Sequence, residues 1–394
     1  MKTQAREITR SRLRQLAQLM NKQSTTSLPV TNKLLDCFEV AIREEECDFL
    51  LKTAGEPFTK KEALKFTTKR GEEFEEFFGG MARKGLIWVE KEKEGETYFR
   101  LAPIMVGWFE VFLSDGQETE EKQEFARRVD AFFQSLSKLR EVPWRYLFNF
   151  KARYFGRPTK RIVVVRESQP ARQKISVTLD QPLASGAPQV YPPESVYELL
   201  DKYLQGKELA LIHCFCRQWH KLVGEECRFE LPGESCFALG RLGKMAVDYG
   251  IGRFVSAKEA FSLIESFQKR GVVHQVFHER DDLTRGEIGL CNCCWDCCGV
   301  IGFYSRGLLP LRFKSYYLAW VKYGLQCEEC GVCEEFCPVQ AIQVVQGQPR
   351  IDPRKCIGCG QCELHCPHGV IALHYQEREV FLPLLKKEEI RIKN

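Results

Sequence analysis

The sequence predicts an α+β chain of several domains, and three observations lead there. Its 394 residues exceed what one hydrophobic core organises. Its first third runs through helical apolar stripes into a pair of alternating strands. Seventeen of its 19 cysteines gather in the second half, in groups with regular spacing.

Charge is close to balance, at +5, so bulk electrostatics do not call for nucleic acid. The N-terminus is polar and basic without the apolar core of a signal peptide, and no apolar run reaches the length of a membrane span. Adjacent pairs such as Cys293-Cys294 and Cys297-Cys298 are awkward for a disulfide framework. A reducing, cytoplasmic setting in which thiols hold metal is the expectation.

Residues 1–28 form a basic arm (Lys2, Arg6, Arg10, Arg12, Arg14) whose Leu13, Leu16, Leu19 and Met20 make a short helical stripe, as in a docking helix. Residues 29–115 follow. The pattern gives a helix from about Asn32 to Thr53, a capping box Thr59-Lys-Lys-Glu62 opening a second, and a third over Glu72–Lys84 with Phe74, Phe77, Phe78 and Met81 inward. Leu86–Glu90 and Thr97–Leu101 alternate as a hairpin around Glu94-Gly95. Order and spacing resemble winged-helix domains. Glu72, Glu73, Glu75 and Glu76 at the start of the third helix would repel phosphates, which speaks for a protein-contact module rather than DNA binding. Cys37 and Cys47 read as packing residues.

Residues 116–190 hold an amphipathic helix over 119–139 and an extended basic linker. The linker carries strand-like pieces Arg161–Val165 and Lys174–Thr178, and the basic residues Arg153, Arg157, Lys160, Arg161, Arg166 and Arg172. It wraps another domain or docks an acidic partner.

Residues 191–310 are predicted to be a mainly helical, cysteine-rich domain. Pro193-Glu194 opens one helix, and Ser256-Ala-Lys-Glu259 caps another that Gly271 stops. Nine thiols fall into two groups in sequence: Cys214, Cys216, Cys227 and Cys236, then Cys291, Cys293, Cys294, Cys297 and Cys298. Buried free cysteine occurs singly, not in C-x-C-C-x-x-C-C clusters, so these are candidate metal ligands. Each group alone can close a four-thiolate site, and a mixed set can too. One or two iron–sulfur clusters are expected, with zinc as the alternative. An incompletely ligated cluster would keep an open iron, and an open iron can bind substrate. His213, His220, His274 and His278 are expected in supporting or packing roles, the last two on a strand or a packed segment.

Residues 311–376 contain two ladders. The first is Cys327-Glu-Glu-Cys330-Gly-Val-Cys333-Glu-Glu-Phe-Cys337-Pro338, and the second is Cys356-Ile-Gly-Cys359-Gly-Gln-Cys362-Glu-Leu-His-Cys366-Pro367. Both are C-x2-C-x2-C-x3-C-P. Three thiolates two residues apart fit a tight loop over three corners of an iron–sulfur cube, and the fourth reaches the other cube. This assigns one [4Fe–4S] cluster to Cys327, Cys330, Cys333 and Cys366, and another to Cys356, Cys359, Cys362 and Cys337. Zinc sites use cysteine pairs with longer spacers, which leaves the repeated ladders unexplained. The stretch resembles bacterial-type two-cluster ferredoxins, and every ligand position of that pattern is filled. Ala341–Val345 and Ile371–Tyr375 are the expected strands of the two halves, and the aromatic run Leu311–Tyr323 is expected to pack over the clusters. A tail over 377–394, with Phe381, Leu382, Leu384 and Leu385, is expected to close against another domain.

The order C-x-C-R, two single cysteines, a helix ending near Gly-Val-Val-His274, then C-N-C-C-x-D-C-C is similar to uncharacterised iron–sulfur proteins of anaerobes. These end in a two-cluster ferredoxin domain, and many carry a winged-helix-like region with a Leu-Ala-Pro segment, here Leu101-Ala-Pro103. The resemblance implies a multi-cluster redox protein.

No flavin, nicotinamide or nucleotide fingerprint appears, so hydride chemistry and ATP coupling would come from a partner. Glu328, Glu329, Glu334, Glu335 and Glu363 around the ladders would lower cluster potentials, opposed by Arg354 and Lys355. The expected function is single-electron relay at low potential, to or from a partner oxidoreductase. Two alternatives stand beside it: a redox-sensing winged-helix regulator, and a reductase acting on a small substrate in the middle region.

Overall fold

The computed structural model describes residues 2–24, 28–136, 144–154, 161–164, 196–278 and 286–390. The strand expected at 174–178, the helix opening at 193–194, and Arg157, Lys160, Arg166 and Arg172 lie outside them. Among the described residues no helix is long and apolar enough to cross a membrane.

The N-terminal helix, Lys2–Gln23, buries Leu13, Leu16 and Met20. Two of its basic residues find acids within the chain. Arg10 pairs with Asp36 and Glu39 at 2.6 and 2.7 Å, and Arg12 reaches Asp48 and Glu44 at 3.0 and 3.2 Å. Those acids sit on two helices, Asn32–Ala41 and Glu44–Lys52, where the sequence suggested one. The break is built from a distance. Buried Glu46 accepts from the Arg43 N–H at 2.8 Å, and Lys84, from a later turn, donates to both Glu46 and the free carbonyl of Ala41. One lysine thereby satisfies the end of one helix and the cap of the next.

The Thr59–Glu62 capping box forms as expected, and helix Gly71–Arg83 buries Phe74, Phe78 and Met81. Strands β1 (Phe58–Thr59), β2 (Ile87–Lys93) and β3 (Glu96–Leu101) make a small sheet in the order β1-β3-β2. Its hairpin turns at Glu94 and Gly95, both with positive φ (54° and 80°), as a two-residue turn matching strand twist requires.

Helix Glu120–Ser135 buries Phe125, Val129, Phe132 and Phe133. Phe133 meets Trp219 and Phe303 at 5.4 and 4.5 Å between ring centres, so the core of the first third continues into the cysteine-rich region.

A second, eight-stranded sheet holds β4 (Arg161–Val164), β5 (Leu209–His213), β6 (Glu234–Leu239), β7 (Gly252–Phe254), β8 (Val273–His278), β9 (Glu287–Cys293) and β10 (Leu311–Val321). A separate hairpin, β11 (Ile342–Val345) with β12 (Gln348–Ile351), precedes β13 (Ile371–Leu382), the eighth strand. The order is β13-β10-β4-β8-β9-β6-β5-β7. Among the described residues only the β10–β4 pair of this sheet is parallel.

The middle region, read as mainly helical, thus supplies five strands beside helices Val196–Gln205, Phe215–Leu222, Gly240–Asp248 and Ala257–Lys269. A run such as Leu209-Ala-Leu-Ile-His213 is apolar without alternation, which periodicity cannot assign. The sheet crosses the boundary drawn at 310, because β10 joins β4 and β13. β13 continues past Tyr375 to Leu382, absorbing the start of the tail. Leu384 and Leu385 are buried, and the Leu384 N–H donates to Asn149 Oδ1 at 2.9 Å.

Candidate metal centres

The ladder loops are shaped by left-handed glycines. Gly331 and Gly360, at φ 74° and 77°, each start a one-turn helix that carries the third cysteine of its ladder. Gly358, at φ 68°, is in closer quarters. A Cβ there would stand 2.8 Å from Ser315 Oγ and nearer still to the Tyr317 carbonyl oxygen on β10.

The loops bring thiols together across the repeat. A cavity of about 20 Å³ is lined by Cys337 of the first ladder with Cys356, Cys359 and Cys362 of the second. Cys333 feels the charges of Cys327, Cys366 and Cys330. Backbone N–H groups point at sulfur: Ala341 donates to Cys337 at 3.1 Å and Glu329 to Cys327 at 3.4 Å. Burial pushes the Cys333 thiol up to about 11 and raises Cys337, Cys359 and Cys362 as well. Such thiols stay protonated until a metal takes the proton's place. Crossed sets of four sulfurs, left-handed glycine turns that shape the loops and amide donors to sulfur suit an iron–sulfur cluster.

In the middle region the structure regroups the nine thiols. Cys214 interacts with Cys216 and Cys236, Cys216 with Cys298, Cys298 with Cys293, Cys293 with Cys291, and Cys291 with Cys236. These pairs close a ring of six. Its sulfurs come from β6 (Cys236), the last residues of β9 (Cys291, Cys293), the N-cap and first turn of helix Phe215–Leu222 (Cys214, Cys216) and the loop at Cys298. Gly299 and Val300 donate N–H bonds to Cys216 and Cys298 at 3.1 and 3.3 Å. All six, with Cys294, line an apolar cavity of about 160 Å³ that Trp88, Met105, Phe133 and Phe303 also line.

The remaining three, Cys227, Cys294 and Cys297, form a separate triad. Cys227 therefore parts from its sequence neighbours, and Cys294 and Cys297 part from theirs. Neither sequence group survives as a spatial one, because β9 pairs directly with β6 and sets Cys291 beside Cys236.

Sequence reasoning quoted Arg217 in its motif but gave it no role. The residue is 5% exposed and lies between the two thiol sets. Its Nη2 donates to the Asn292 carbonyl at 2.6 Å and its Nη1 to Ser235 Oγ. No carboxylate among the described residues pairs with it. The negative charges that act on it are those of Cys214, Cys294, Cys236 and Cys227. A buried guanidinium without an anion is costly, so this one fits thiolates rather than thiols.

The histidines stay outside the thiol sets. The His213 ring packs against Gly116 and Gly233, and His220 Nδ1 meets Glu225 at 2.6 Å. His274, on β8, donates from Nδ1 to Asn292 Oδ1 at 2.6 Å, and burial holds it down to about 4 and neutral. Asn292 in turn donates to the Ser235 carbonyl, so His274 braces the backbone that Arg217 also grips. Cys37 and Cys47 are buried in the N-terminal core, away from both sets.

No curated protein and no solved structure matches the chain. Residues 326–370 match the family model of the 4Fe-4S dicluster domain, and the C-terminal part of this chain is accordingly an iron–sulfur domain.

Proposed function

We propose that the chain relays single electrons between a partner oxidoreductase and its own middle region. In this reading Cys327, Cys330, Cys333 and Cys366 hold one [4Fe–4S] cluster, and Cys356, Cys359, Cys362 and Cys337 hold the second. The six-thiol ring holds a further iron–sulfur centre. Such clusters, when bound, supply one-electron chemistry. The protein's part is to bury the sulfurs, aim N–H groups at them and keep the loops in register.

The observation that carries the reading is the pairing of a dicluster segment with nine thiols grouped beside one buried cation. The two regions are joined tightly. Gln361, next to Cys362, donates to the Val272 carbonyl at 2.6 Å, and Val272 packs on Cys294 and Cys297. Phe336 stacks on His365 at 3.6 Å and closes on Gly271, where a Cβ would meet its ring at 2.5 Å. Exposed Cys330 and the fully exposed Tyr323 offer the outer end to a partner.

The apolar cavity favours a second reading, in which the ring ends the relay at a small substrate. Iron and acid-labile sulfide counts on anaerobic protein, with EPR of the reduced state, test the first reading. About twelve irons or more per chain are expected. About eight would confine the relay to the C-terminal segment.

A further inference from the structure

The nine middle thiols fall into two sets with different spacings, and the smaller set has the dimensions of a site for one ion. The Sγ atoms of Cys227, Cys294 and Cys297 all lie within 4.8 Å of one another. Cys227 to Cys294 is 3.9 Å and Cys294 to Cys297 is 3.5 Å. A tetrahedral ion with metal–sulfur bonds of about 2.3 Å puts its thiolates about 3.8 Å apart. A cube of four irons and four sulfides needs its thiolates farther apart than that. Among the described residues no other three ligand atoms of His, Cys, Asp or Glu draw this close, the ladder thiols included.

The surroundings match the same occupant. Cys294 and Cys297 are 1% exposed and sit in an apolar shell of Leu231, Phe267 and Val272, while Cys227 keeps partial access to solvent. Three thiolates around a divalent ion leave one net negative charge. Arg217, buried beside Cys227 and Cys294 with no carboxylate partner among the described residues, supplies the opposite charge. The loop that brings Cys227 in is pinned separately, since the Arg228 N–H donates to Asp296 Oδ2 at 3.0 Å, between Cys294 and Cys297 in sequence.

We propose that Cys227, Cys294 and Cys297 bind a single divalent ion of the zinc type, with the fourth position open to water or an exogenous thiolate. No fourth side chain among the described residues closes the tetrahedron. Three protein ligands and an open vertex are the arrangement of zinc sites that bind or activate a ligand, not of closed structural sites. The ion is redox-inert, so it stands beside the electron path and not in it.

The test uses the full chain, purified anaerobically from zinc-supplemented growth. One equivalent of zinc per chain is expected, with zinc-edge absorption showing three sulfurs and one lighter atom. The Cys227→Ser/Cys297→Ser double variant should lose that zinc and keep its iron. If the double variant does not fold, the wild-type protein still decides the matter. Cobalt exchanged into the zinc site should give thiolate-to-cobalt charge transfer, and added 2-mercaptoethanol should shift its d–d bands. Four sulfurs at the zinc edge of protein purified without added thiol, cobalt bands indifferent to added thiol, or a variant that loses about four irons instead of zinc would each overturn the proposal. The last two leave the electron-relay reading standing, and a low iron count with zinc present would sink that reading and not this one.

Discussion

Replacing Gly358 by alanine isolates the effect of close backbone approach, with Gly331→Ala as its matched control. Both glycines are left-handed, at φ 68° and 74°, and each precedes or enters a ladder turn. The conformational penalty for a Cβ is therefore shared, at about 1–2 kcal/mol. The surroundings differ. Nothing lies within 4 Å of a Cβ at Gly331, whereas at Gly358 it would press on Ser315 Oγ and the Tyr317 carbonyl. Ser315 Oγ lies 3.0 Å from the Ile357 carbonyl, and separating loop from strand weakens that contact, whereas its 2.9 Å contact with the Tyr317 carbonyl stays within the strand. Overpacking adds about 1–3 kcal/mol and a lost buried hydrogen bond about 1 kcal/mol. The totals come to about 3–6 kcal/mol at Gly358 against about 1–2 kcal/mol at Gly331. Anaerobic thermal release, followed by visible absorbance and iron content, reads the difference. Gly358→Ala should lose about four irons at temperatures where Gly331→Ala keeps them. Equal iron content and equal release temperature in the two variants would refute the close-approach argument.

Cys337→Ser should abolish the same EPR signal as Cys356→Ser, because the two thiols line one cavity though they belong to different ladders; loss of the signal that Cys327→Ser removes would contradict this. Arg217→Met should cost about 3–5 kcal/mol and deplete metal from the middle region while the ladder signals persist, with Arg217→Lys restoring part of it; full metal content in Arg217→Met would show that the thiols need no counter-charge. Phe303→Ala, which empties the contact with Phe133 and Trp219, should destabilise the chain by about 3–5 kcal/mol in an anaerobic melt, and a change under about 1 kcal/mol would mean that the two regions do not share a core. Replacing Glu328, Glu329 and Glu335 by glutamine should raise the ladder potentials, more at low salt than at high salt, as solvent-exposed charges do; a salt-independent change would point to structural damage instead.

Local chemistry was legible in the sequence. The Thr59–Glu62 box, the Glu94-Gly95 turn and the buried face of the 71–83 helix depend on neighbours a few residues away. The ladders were legible for the same reason, since their spacing is itself the geometry of the loop. What escaped was set by distant partners. The break at Ile42-Arg43 depends on Lys84, some forty residues later, which no helical pattern announces. The middle strands are short apolar runs, and only their pairing in one sheet makes them strands. The split of the nine thiols into six and three depends on where β9 lies between β6 and β8. Arg217 was visible as the basic residue after C-x-C, yet its role rests on Ser235 and Asn292, which come from strands 18 and 75 residues away.

The most direct test of the account is anomalous diffraction at the iron edge on anaerobically grown crystals. The account places iron clusters between the two ladder loops, one among Cys327, Cys330, Cys333 and Cys366 and one among Cys356, Cys359, Cys362 and Cys337, with further iron inside the six-thiol ring. Isolated single ions in the ladder loops, or no iron there at all, would contradict it.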